Sequence, residues 1–187
     1  MYHTISERHI TPAKIYEIVA SGKALRLSEQ AVERIHKCRE YLDKKAVGGT
    51  PIYGVTTGFG SLCNVSIDRK DLSTLQRNLI MSHACGTGER VPSEIVKLMM
   101  LLKVQSLAYG HSGVQAATVQ RLIDMYNHDI IPVIYQQGSL GASGDLAPLA
   151  HMSLPLIGMG EVEYMGRVVD AGEVMHKMGW EPIDLQS

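Results

Sequence analysis

The run from Gly138 to His151 holds the residues most able to do chemistry, and Ala142-Ser143-Gly144 stands at its centre. The amide nitrogen of Gly144 can attack the carbonyl carbon of Ala142 and close a five-membered ring, the carbonyl oxygen leaving as a first water. Glycine suits this step because it has no Cβ and tolerates a strained backbone. Loss of the Ser143 hydroxyl as water then leaves an exocyclic methylidene. The product is an electrophile made from the main chain, of a kind that no standard side chain supplies. The same residues also read as a plain turn, with Asp145 as N-cap of a helix that opens at Leu146-Ala147-Pro148. A third reading is a serine nucleophile on a tight turn. The Gly-x-Ser-x-Gly elbow is broken here, because Asp145 stands where its last glycine belongs.

Two upstream segments add groups that could act on a substrate. Ile52 to Gly60 contains Gly54, Gly58 and Gly60, so it predicts a mobile loop rather than a regular helix or strand. Tyr53 on that loop is an anchoring residue or a base. Asn78 to Gly88 closes a helical pattern that starts at Asp68, with Leu72, Leu75 and Leu79 on one stripe. Alone, His83 reads as a satisfied histidine near a helix end, where the backbone dipole favours a cation.

In this order, the three motifs resemble those of the aromatic amino acid ammonia-lyases, and the similarity runs through nearly the whole chain. The resemblance implies that the electrophile is 4-methylidene-imidazol-5-one (MIO), formed autocatalytically from Ala142, Ser143 and Gly144. It makes Tyr53 the base that removes the β-proton. A free phenol has a pKa of about 10, so positive charge or hydrogen bonds to the phenolate must acidify it. Ser82 and His83 then occupy the pair of positions that reads the substrate ring. That pair is Phe-Leu in phenylalanine-specific members, often His-Leu in tyrosine-specific ones and Ser-His in histidine-specific ones. An imidazole can hydrogen-bond a substrate imidazole, whereas against a benzene ring it would be left unpaired. Ala150-His151 also looks like the histidine-specific type.

The implied reaction is non-oxidative deamination of L-histidine to trans-urocanate and ammonia, a step of histidine catabolism. Tyrosine or phenylalanine lyases and aminomutases of the same family are the alternatives. From a different class comes a catalytically inert helical module that self-associates through apolar faces. The family assembles as a homotetramer with each active site built from several subunits. Its chains are longer than this one, with an Asn-Gly-Thr segment and further pocket residues beyond it. The expectation is therefore an N-terminal fragment, inactive by itself, with intact mass deciding whether it still forms MIO.

Composition narrows the classes independently. The chain has 187 residues, which suits one domain with an appendage on a prior of roughly 150 residues each. A hydrophobic share of 45% is enough for a core. The net charge of −1 gives no electrostatic ground for nucleic acid or an anionic membrane. Aromatics at 5% argue against a base-stacking surface. Cys38, Cys63 and Cys85 lie far apart without a Cys-x-x-Cys, and no histidines pair at His-x-x-x-His spacing, so no metal site is predicted. Buried thiols in a reducing cytoplasm are the simple reading. The N-terminus lacks the apolar core of a signal peptide, and the apolar run from Leu146 to Met159 is too short to span a bilayer.

The elements that must position these groups are mainly helical. Thr11-Pro12 opens a short helix ending at Gly22, and Ser28 caps a second with Val32, Ile35, Cys38 and Leu42 inward. A third helix runs from Asp68 to His83, a fourth from Pro92-Ser93-Glu94 to Gly110, and a fifth from a Ser112 cap to Asn127. The last two are expected to pack as an antiparallel hairpin. Ile130 to Ile134 is extended and feeds the electrophile segment. Leu146 to Ile157 is apolar nearly all round, which predicts a buried helix. Glu161-Tyr164 and Arg167-Val169 flank Met165-Gly166 as a small hairpin, and Asp170 caps a final helix ending at Gly179. The expected class is mainly α: the N-terminal part of the ammonia-lyase helical fold, with short extended segments and one small β-hairpin. The expected division is a helical domain over 1–110 carrying the Tyr53 loop, and over 111–187 the start of a central helical domain carrying the electrophile segment.

Overall fold

The computed structural model describes residues 1–47, 51–138, 144 and 146–185. Along the chain run β1 (Tyr2–Ile5), α1 (Pro12–Ala20), β2 (Ala24–Leu27), α2 (Glu29–Val47), α3 (Leu72–His83), β3 (Thr87–Arg90) and α4 (Ser93–Ala108). They are followed by α5 (Ala116–Asn127), β4 (Ile131–Pro132), β5 (Tyr135–Gln137), α6 (Leu146–Ser153), β6 (Glu161–Tyr164), β7 (Arg167–Asp170) and α7 (Ala171–Met178). The class is mainly α, as expected.

Local chemistry sets several boundaries. The Thr11 hydroxyl accepts the Lys14 N–H at 3.3 Å, with Pro12 opening α1. Ser28 accepts the Ala31 N–H at 3.1 Å, and Asp170 accepts that of Glu173 at 3.1 Å. Met165 at φ 52° and Gly166 at φ 73° turn the β6–β7 hairpin, the left-handed pair that matches strand twist.

α4 and α5 form the centre of the core. Val96, Met100, Leu101 and Val104 face Val119, Leu122, Ile123 and Met125, with Ile5, Ile18, Leu25 and Ile35 closing one side. Lys97, near the start of α4, bonds Asp129 and lies 4.8 Å from the ring centre of Tyr126, at the end of α5. The two helices are therefore antiparallel. Asn127 closes α5 onto β2, accepting the Leu25 N–H at 2.7 Å and donating to the Leu25 carbonyl at 2.9 Å.

The structure departs from the sequence reading in four places. α3 begins at Leu72 rather than Asp68, because Arg69–Asp71 forms a 3-10 turn in which the Asp71 N–H bonds the Asp68 carbonyl at 2.9 Å. α5 begins at Ala116, and Ser112 is not its cap. Gly113 at φ +69° breaks the helix there, where a Cβ would fall 2.5 Å from Leu42 Cδ2. The apolar run after residue 145 is α-helical only to Ser153. It tightens to a 3-10 helix over Leu154–Ile157, since Pro155 has no N–H to continue the ladder. Nor is α6 buried all round, for Leu146 and Leu149 are each 39% exposed.

Strands also exceed the expected hairpin. β1 and β2 pair in parallel across α1, β3 pairs with β5, and β4 adds a third strand to β6–β7. Among the described residues, no helix is long and apolar enough to cross a membrane.

Candidate active site

Glycines dictate the irregular path of the Tyr53 loop, and hydrogen bonds hold it. The Ile52 N–H donates to the Thr56 hydroxyl at 2.9 Å, and the Gly54 N–H to that of Thr57 at 3.3 Å. Thr57 is buried, and its hydroxyl donates to the Gly58 carbonyl at 3.0 Å. Gln76 reaches from α3 to the Gly54 carbonyl at 3.4 Å. The loop expected to be mobile is thus tied internally and to α3.

Gly54 sits at φ +72°, and a Cβ there would lie 2.9 Å from the Phe59 ring. Its absence lets Phe59 pack edge-on against Tyr53, with ring centres 5.8 Å apart at 72°. Tyr53 is 63% exposed, and its hydroxyl oxygen accepts the Gly60 N–H at 3.4 Å.

His83 ends α3. Its Nδ1 lies 2.8 Å from the Leu79 carbonyl, one turn back. Only a protonated Nδ1 can donate to a carbonyl, so in the neutral ring Nε2 is left as an acceptor. The Ser82 hydroxyl donates to the same Leu79 carbonyl at 2.9 Å and stands 3.2 Å from Nδ1. Ser82 is spent on its own helix and does not line the cleft into which His83 faces.

That cleft has a volume of about 740 Å³. Tyr53 and Phe59 form one wall, Leu79 and His83 a second, and Leu146 and Leu149 of α6 a third. The two exposed leucines of α6 therefore form the apolar side of a small-molecule-sized hollow, with a phenol, an imidazole and the hydroxyls of Ser61 and Ser153 among its polar groups. Phe59, Gln76, Leu146 and Leu149 were not singled out from the sequence. The three-residue spacing of Leu146 and Leu149 on one helix face was the available signal.

Of Ala142-Ser143-Gly144, the structure describes Gly144. Ala142 and Ser143 lie outside the described residues, as do the neighbouring Asp145 and residues 139–141. Gly144 is described: its φ is +84°, and its carbonyl accepts the Leu146 N–H at 2.9 Å. A Cβ there would meet nothing within 4 Å, so the backbone conformation, not space, calls for glycine. On the far side, a Cβ on Gly138 would lie 2.9 Å from Ala147 Cβ. Gly138, directly after β5, thus lies against Ala147 in the first turn of α6.

Residues 10–187 match the family model described as aromatic amino acid lyase. The chain is similar to histidine ammonia-lyase of Deinococcus radiodurans, with 48% identity over 98% of this chain and 35% of that relative. Among solved structures, it is similar to the ergothioneine degrading enzyme ergothionase from Treponema denticola. That likeness has a TM-score of 0.93 and 28% identity, over 100% of this chain and 37% of the other. It is also similar to histidine ammonia-lyase from Trypanosoma cruzi, with a TM-score of 0.88 and 34% identity over 100% of this chain and 36% of the other. The chain spans about a third of the length of the curated relatives it matches.

Proposed function

The chain belongs to the aromatic amino acid lyase family, and on that premise we propose that it serves the non-oxidative deamination of L-histidine to trans-urocanate and ammonia. The observation that carries this reading is the shared cleft. Tyr53 and His83 line it together with the first turn of α6, directly after Ala142-Ser143-Gly144. Identity of 41–48% to several proteins named histidine ammonia-lyase supports the substrate.

Ala142, Ser143 and Gly144 are the residues that would form MIO, an electrophile for the substrate amine that makes nitrogen a better leaving group. The left-handed φ of Gly144 suits that condensation. Tyr53 takes the proton from the β-carbon at its phenolic oxygen, which the Gly60 N–H helps to hold in place. His83 binds the substrate ring, its Nε2 accepting from the imidazole N–H while Nδ1 stays bonded to Leu79. Phe59, Leu146 and Leu149 exclude water and hold the ring plane. Ser82 assists by orienting His83. The reading extends to a cytoplasmic homotetramer.

The test supplies L-histidine to the complete protein and follows ultraviolet absorbance of the alkene. Absorbance that grows with tyrosine or phenylalanine, and not with histidine, overturns the substrate. A β-amino acid product in place of an alkene makes the protein an aminomutase. Light scattering on the same sample checks the tetramer.

A further inference from the structure

His151 is buried in α6, and the chemistry above leaves it unused. Its Nε2 accepts the Gly86 N–H at 2.9 Å. That nitrogen is therefore unprotonated, and in the neutral ring Nδ1 carries the hydrogen. Gly86 stands three residues beyond His83. A Cβ on Gly86 would lie 2.9 Å from the same Nε2 and 3.2 Å from Tyr135 Cβ, so glycine is what lets the backbone reach the ring.

Tyr135 completes the junction. Its ring meets that of His151 edge-on, with centres 5.3 Å apart, and its hydroxyl donates to Glu161 at 3.2 Å. Tyr135 opens β5, which pairs with β3 immediately after Gly86. β5 and α6 are the elements that flank residues 139–145. Both grip one stretch at the end of α3: β5 by strand pairing to Thr87–Arg90, and α6 through His151 to Gly86.

We propose that His151 is a positioning residue which, through Gly86, sets where His83 stands relative to α6, the helix that directly follows the segment carrying Ala142-Ser143-Gly144. This rests on the deamination reading. A histidine substrate directs its amine toward that segment and its ring toward His83, and its own covalent length fixes the span between them. Releasing Gly86 from His151 lets the ring-binding end of α3 drift, while the phenol of Tyr53 stays in place because its loop is held by its own hydrogen bonds and by Gln76, two turns before that end. The loss falls on substrate binding rather than on bond breaking. A residue that merely fills the core would lower thermal stability and leave KM of the folded enzyme unchanged.

The experiment uses the complete protein and three variants: His151→Leu, His151→Gln and Gly86→Ala. Leucine leaves the Gly86 N–H unpartnered, whereas the Oε1 of glutamine can stand in for Nε2. KM for histidine should rise about ten-fold in His151→Leu with kcat within about three-fold, and return near the parent value in His151→Gln. Gly86→Ala should match His151→Leu, and the double variant should be no worse than either single change. A folded His151→Leu with the parental KM overturns the proposal. So does a glutamine variant no better than leucine. Should His151→Leu fail to fold, a parental KM in Gly86→Ala overturns it instead. A parent protein that does not turn over histidine defeats the deamination reading, and this proposal with it, which is a different outcome from an active parent and an indifferent variant.

Discussion

The Nδ1 of His83 is bound to the carbonyl of Leu79, 2.8 Å away within the same helix. The bond holds the ring and leaves Nε2 to meet whatever enters the cleft. Helix α3 thereby presents a fixed acceptor beside an apolar wall. That combination suits a flat ring with an N–H at its rim and penalises a ring without one.

Replacing that acceptor should cost recognition. In His83→Leu, kcat/KM for histidine should fall about a hundred-fold, because the substrate N–H is then buried without a partner. Steady-state kinetics check this. An unchanged kcat/KM would move ring recognition away from α3.

Tyr53→Phe keeps the edge-on packing against Phe59 and removes only the oxygen. Loss of a general base should lower kcat by about 10²- to 10⁴-fold. The side chain is 63% exposed, so the melting temperature should stay near that of the parent. Paired kinetics and calorimetry separate the two effects.

Gly144→Ala tests the backbone directly. At φ +84° a Cβ has open space, yet the conformation itself costs about 1–2 kcal/mol in an L-residue. Condensation of Ala142-Ser143-Gly144 should therefore be hindered. Intact mass spectrometry should find the parent lighter by two waters and the variant unchanged or mixed.

Acid should weaken the fold through His151. Burial lowers its pKa from 6.5, so the folded ring resists a proton that the unfolded ring accepts. The stability supplied by the neutral ring is complete above about pH 6.5 and is lost as pH falls through the lowered folded value. His3 moves the same way, through burial first and then Lys14 and Lys23, against Glu17. The melting temperature should drop on acidification below about pH 6.5, and His151→Gln should flatten part of that drop. An equal slope in parent and variant would clear His151.

Much of the helical frame was legible from short-range signals. Thr11-Pro12, Ser28, Asp170 and the Met165-Gly166 turn each act within four residues, and each lies where its residue type predicts. The starts of α3 and α5 were misplaced because packing overruled plausible caps. At Gly113 the approach of Leu42 decided the path, and Leu42 is far away in sequence. β3 was invisible because Thr87–Arg90 has four exposed residues and no alternation. The exposed side of α6 was hidden as well, since an apolar helix face reads alike whether it meets a core or lines a cleft.

The loop tyrosine, the helix-end histidine and Ala142-Ser143-Gly144 are all readable in order along the chain. The tripeptide's chemistry is a property of three covalent neighbours, so no fold is needed to recognise it. The meeting of the tyrosine and the histidine is another matter. Tyr53 joins His83 in one cleft, and His151 reaches Gly86 across 65 positions, only because α6 packs against α3. Apolar burial drives that packing, and it has no direction of its own. The partners it brings together are chosen by how whole helices fit, which no local run of residues records.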